Sequence, residues 1–191
     1  MADKAPAPSL GRATLLLCLK FAVLAPICLV VWLWLLPAYT WLLGQATGLV
    51  LRVVLRVPIE TVVVTRDGFL NTGTALAYAL TNGHQPTMHD VGKLVTNVAP
   101  FIALVLSTSG LGLWRRVKVA VLGFVIIFLF HGLTIVLRFV STGSKLALPN
   151  TIGFIAVTLP FLLWIVLAYW DKLVVYFNDQ GARDPSDASG S

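Results

Sequence analysis

Four stretches of the chain are apolar over a length that few soluble helices reach: Ala13 to Leu36, Leu94 to Leu113, Val119 to Leu137 and Thr151 to Tyr169. Each holds roughly twenty residues, and a helix of that length, at 1.5 Å of rise per residue, crosses about 30 Å of hydrocarbon. The pattern predicts an all-α integral membrane protein built as a four-helix transmembrane bundle. Residues 37–93, between the first two stretches, have a different texture. Ala38 to Leu55 is apolar with Arg52 and Arg56 one helical step apart, which suits a helix that extends the first span or lies along the interface. Trp32, Trp34, Tyr39 and Trp41 form an aromatic collar at that level, as interfacial belts do.

After Pro58 the period changes. Ile59 to Arg66 is rich in β-branched residues and ends at Asp67-Gly68, a two-residue hairpin signal. Phe69 to Thr72 then reads as a return strand, and Asn82-Gly83 as a further turn. A small β element is expected between helices 1 and 2. The division along the chain is a tail (1–12), a polytopic membrane domain (13–177) and a polar end (178–191) of Gly, Ser and Asp that is expected to be disordered.

Composition agrees with one membrane domain. Of 191 residues, 58% are hydrophobic and 12% charged, which leaves little material for a separate soluble unit. The net charge of +6 is spread along the flanks of the apolar stretches without a long basic run, so it points to lipid headgroups and away from nucleic acid. Cys18 and Cys28 lie ten residues, about 15 Å, apart on one helix, too far to bridge; they read as small apolar residues. The first apolar run exceeds the roughly 7 to 15 residues of a signal sequence and reads as a retained anchor.

Orientation follows from cations. Trp114-Arg115-Arg116-Val117-Lys118 is read as a short cytoplasmic connection between antiparallel spans, and Lys4, Arg12 and Lys20 place the amino terminus on the same side. Both termini are then cytoplasmic and residues 37–93 lie outside, in the periplasm if the membrane is a bacterial inner membrane.

Polar residues within or beside the spans are the candidates for function. His131, Thr134 and Arg138 recur at steps of three and four and share a face of the third span. An ionisable residue there is either functional or a neutral packed histidine with an arginine at the helix end. Asn97 and Asn150 begin the second and fourth spans, so the predicted topology brings them to the level of Arg138. Asn97, His131, Thr134, Arg138 and Asn150 form the candidate pocket. Ser107, Thr108 and Ser109 suit bonding to their own helix carbonyls, and His84, His89 and Asp90 match no zinc spacing, so neither a metal nor another cofactor is expected.

The order Val64-Thr65-Arg66-Asp67-Gly68, Thr96-Asn97 through Leu104, Trp114-Arg115-Arg116, Ile135-Val136-Leu137-Arg138 and Pro149 to Gly153 resembles the membrane core of the exosortase and archaeosortase family of cysteine transpeptidases. The resemblance covers about Pro58 to Tyr169. It implies that Arg138 keeps the family's arginine, that Asn97 stands where the nucleophilic cysteine would be, and that Asn150 stands at a second basic position. Without a thiolate the covalent route fails, so the chain is most similar to exosortase H-associated membrane proteins. The function this implies is a non-catalytic accessory that binds a sorting signal, an active exosortase or a lipid-linked partner at an outer polar pocket, with membrane lipids around it. The alternatives are a membrane-embedded enzyme using His131 and Arg138, or a structural subunit of an envelope complex.

Overall fold

The computed structural model describes residues 10–66, 73–81, 87–141, 155 and 158–170. Its element order is α1 (Leu10–Val53), β1 (Ile59–Thr65), β2 (Ala75–Leu80), β3 (Thr87–Asp90), α2 (Gly92–Val95), α3 (Val98–Ser107) and α4 (Leu113–Ser141), followed by α5 (Thr158–Trp170). Two helices, α1 and α4, are long and apolar enough to cross a membrane. Phe21 through Leu51 carries no charge, about 46 Å of helix, whereas the uncharged part of α4, Val119 through Leu137, measures about 28 Å.

The first apolar stretch therefore does not stop before Pro37. Pro26 and Pro37 both lie inside α1, and the helix runs on to Val53; beyond it Arg56, with a φ of 53°, lets the Val57 N–H return to the Leu51 carbonyl at 3.0 Å. A proline removes one backbone bond, and packing along the rest of α1 holds the helix through that gap. Leu36, Leu43 and Leu51 are fully buried on one face.

The second apolar stretch departs most from expectation. It folds as the single turn α2, a break at Thr96-Asn97, and the ten-residue α3, not as one helix of twenty. The far end of α3 is set by hydroxyls and glycine: Ser107 Oγ donates to the Ala103 carbonyl at 2.6 Å and Thr108 Oγ1 to Leu104 at 2.7 Å, and Gly110 takes φ 87°. The basic cluster is likewise not a connection. Residues 108–112 make the turn, and Arg115, Arg116 and Lys118 lie in the first two turns of α4, where cations oppose their own helix dipole. Arg116 is offset by the neighbouring helix end, since its Nη2 donates to the Thr108 carbonyl at 2.9 Å.

Rising residue numbers on α1 meet rising numbers on α4. Trp32 contacts Phe124 at 6.5 Å between ring centroids and Tyr39 contacts Phe128 at 5.7 Å, while Gly132 faces Leu43 and Thr47; the two long helices are parallel. Helix α3 runs the other way. It starts beside Leu35 and Trp32 and leads to Ser109, which accepts from Lys20 Nζ at 3.0 Å. The molecule thus has a basic end, at Lys20 and Arg116, and a sheet end.

The sheet is an antiparallel meander in the order β1-β2-β3. Its first strand lies where the alternation placed it, but the partner does not. Thr65 pairs with Ala75, so nine intervening positions replace the two-residue hairpin, and the expected strand Phe69 to Thr72 and the Asn82-Gly83 turn lie outside the described residues. Ala75-Leu-Ala-Tyr-Ala-Leu has helix-forming composition and becomes a strand because both its edges are paired. The sheet sits directly on α1 at Gly44 and Gly48. A Cβ on Gly44 would lie 2.6 Å from Leu76 Cδ1, and one on Gly48 3.1 Å from Val62 Cγ2, so any larger residue would have to push Leu76 and Val62 aside. Thr47, between them, shares a hydrogen bond with the Tyr78 hydroxyl.

Candidate functional site

His131 lies on the inner face of α4 and is fully buried, as is Thr134 one turn on. Its neighbours come from α1. The Tyr39 hydroxyl and His131 Nδ1 are 2.8 Å apart, and the two rings meet edge to face at 6.1 Å and 88°. Tyr39 is itself ringed by Trp32 at 4.9 Å, Phe124 at 5.7 Å and Phe128 at 5.7 Å, all edge to face with interplanar angles from 61° to 87°, the arrangement that aromatic quadrupoles favour. Which of the pair donates depends on the imidazole tautomer. In either tautomer one ring nitrogen is engaged by Tyr39, and Nε2 makes no hydrogen bond among the described residues.

Among the described residues, no serine, threonine or cysteine side chain is hydrogen-bonded to His131, whose hydroxyl partner is Tyr39. Thr134 Oγ1 donates to the Phe130 carbonyl of its own helix at 2.9 Å. Cys28 lies eleven residues before Tyr39 on α1, about 16 Å along the axis, half-buried in an apolar groove of about 350 Å³ lined by Trp32, Leu35, Val98, Ile102 and Phe124. Cys18 is exposed. What His131 and Tyr39 can do is hold α1 to α4 through a desolvated hydrogen bond within an aromatic shell.

The other candidate residues are distributed along the sheet half of the molecule. Arg138 is half-buried on α4, seven residues or about 10 Å beyond His131. Next to it Phe139 stacks edge to face on Tyr78 at 5.8 Å, which puts Arg138 at the level of the sheet. Asn97 is half-buried at the break before α3, in αR conformation and without a side-chain cap bond to that helix. Asn150 lies outside the described residues, as does His84.

Tyr39 is the residue that the sequence pattern misassigned, since its place in an aromatic collar suggested the interface and its partner is far away in the chain. Tyr78 is a second. Burial raises its phenol to about 12, partly opposed by the Thr47 hydrogen bond, so it is neutral across the physiological range. A third link joins α5 to α3: Trp164 Nε1 donates to Thr108 Oγ1 at 2.8 Å. The chain matches no protein-family model, no curated protein and no solved structure.

Proposed function

We propose that this chain is a non-catalytic accessory protein of an exosortase-type sorting system, embedded in a bacterial inner membrane with the basic end and both termini in the cytoplasm and the sheet outside. The membrane part is supported by the outward face of the long helices, where Leu15, Leu19, Trp34, Val53, Leu113 and Leu129 each expose more than 60% of their surface. Apolar surface of that extent is unfavourable in water and needs another cover. Lys20, Arg115 and Lys118 lie at one end, which the positive-inside tendency assigns to the cytoplasm; Arg52, Arg56 and Arg66 at the sheet end belong to the long segment 37–93, and long segments translocate largely regardless of charge.

Between Asp90 and Ser109 the chain passes from the sheet end to the basic end, so α2 and α3 together serve as the second crossing. A broken helix at membrane depth is tolerated when protein surrounds it, and Val91, Leu94, Val95 and Val98 are buried. Helix α5 contributes the fourth, with Trp170 lying beside Trp114 at the basic end.

The observation that carries the non-catalytic part is the closure of His131. The intramembrane base is sealed in aromatic packing with Tyr39 on Nδ1, so polar chemistry at this depth fastens helices. The sorting-system part rests on the residue resemblance, with Asn97 in the nucleophile's position and Arg138 retained, and the binding surface it implies takes in Asn97 and Arg138. Photo-cross-linking from positions 97 and 138 in native membranes tests it. Adducts identified as a cysteine transpeptidase or a protein with a carboxy-terminal sorting helix are expected; lipid adducts alone, or cleavage of a sorting-signal peptide by the purified chain, would overturn the reading.

A further inference from the structure

At the basic end, α4 and α5 diverge to leave a groove of about 680 Å³. It is lined by Arg115, Lys118, Trp114 and Trp170 together with apolar side chains, Val119 and Leu122 of α4 and Val166 of α5. The cations divide their work. Arg116 turns to the Thr108 carbonyl at the end of α3; Arg115 and Lys118 line the groove, and Lys118 Nζ lies 5.6 Å from the centroid of the Trp114 ring. Two cations over an apolar slot, flanked by two indoles, match one kind of molecule in both charge and polarity. A phosphate takes the cations, the indoles sit at the level of the glycerol esters as tryptophans do at membrane interfaces, and an acyl chain follows Leu122 and Val166 inward.

We infer that this groove is a binding site for an anionic phospholipid of the leaflet at the basic end. A zwitterionic lipid has the same tail but adds a cation beside Arg115 and Lys118, so the site discriminates by charge. Each basic residue near an anionic headgroup contributes about 1 kcal/mol, so removal of both should reduce the preference about thirtyfold. The site needs the membrane placement and is independent of the sorting partner.

The full chain reconstituted in vesicles of equal phosphatidylglycerol and phosphatidylcholine, then released into detergent for native mass spectrometry, tests this. Retention of the chain in the vesicles after alkaline extraction establishes insertion separately. The unaltered chain should carry one phosphatidylglycerol in preference to phosphatidylcholine. Arg115→Gln with Lys118→Gln should abolish the preference, Arg115→Lys with Lys118→Arg should restore it, and Leu122→Trp, which enlarges an apolar lining residue while keeping both cations, should displace the lipid. Equal retention of the two lipids, or a preference that survives both the double glutamine and the Leu122→Trp change, would overturn the site.

Discussion

The Tyr39 hydroxyl bonds His131 Nδ1 at 2.8 Å across ninety-two positions of sequence, and this bond fixes the register of two parallel helices. Tyr39→Phe should lower stability by about 1–3 kcal/mol, because it strands a desolvated imidazole nitrogen. Replacing both partners, Tyr39→Phe with His131→Leu, should recover most of that loss, since no buried polar group is then left unpaired. Thermal unfolding of the four proteins in detergent gives the coupling directly; strictly additive losses would show that the pair does not act as a unit.

Sheet and helix meet where there is no room for a side chain. Gly44→Val should destabilise by about 1–3 kcal/mol through overpacking against Leu76 and Val62, with the sheet becoming sensitive to limited proteolysis. Gly132→Ala is the contrast. Its Cβ would meet Thr47 Cγ2 at 3.5 Å, an ordinary contact, and the better helix former should leave stability equal or slightly higher.

The phenol of Tyr78 provides a pH test. Its folded value of about 12 lies above the ordinary value of 10.0, so ionisation favours the unfolded chain. The stabilising contribution is complete below about pH 10 and is lost as pH rises toward 12. Tyr78→Phe should remove one phenolate step near pH 12 from an ultraviolet titration and flatten the loss of stability over that interval.

Cys18 and Cys28 should be dispensable. Cys18 is exposed on α1 and Cys28 lines an apolar groove, so replacing both by alanine removes little packing. The change in thermal midpoint should correspond to less than about 1.5 kcal/mol, with membrane level unchanged.

Much of this architecture is visible in the sequence. The apolar runs mark α1 and α4, and the β-branched alternation marks β1. Of the two readings of Ala38 to Leu55, the one that extends the first span is what forms; Pro37 weakens the helix locally while α1 is held by packing on both sides of it. The break at Thr96-Asn97 and the early end of α3 depend on hydroxyls bonding their own carbonyls and on the turn at Gly110, signals that an apolar average hides. Gly44-Gln45-Ala46-Thr47-Gly48 does carry a close-approach spacing, although here it receives a sheet and not a second helix. At the site, the shared burial of His131 and Thr134 was legible from their spacing. The identity of Tyr39 as partner was not, because no local pattern encodes a contact between distant helices.

Labelling single cysteines with a membrane-impermeant maleimide in intact bacterial cells tests the transmembrane arrangement most directly. In the background lacking Cys18 and Cys28, Glu60→Cys places a thiol on the exposed side of β1, and Ser109→Cys places one in the exposed turn at the basic end. The expected result is labelling at position 60 without treatment and at position 109 only after the membrane is opened. Labelling at 109 in intact cells with protection at 60, or equal labelling of both, would contradict a chain that crosses the membrane with its sheet outside and its basic end within.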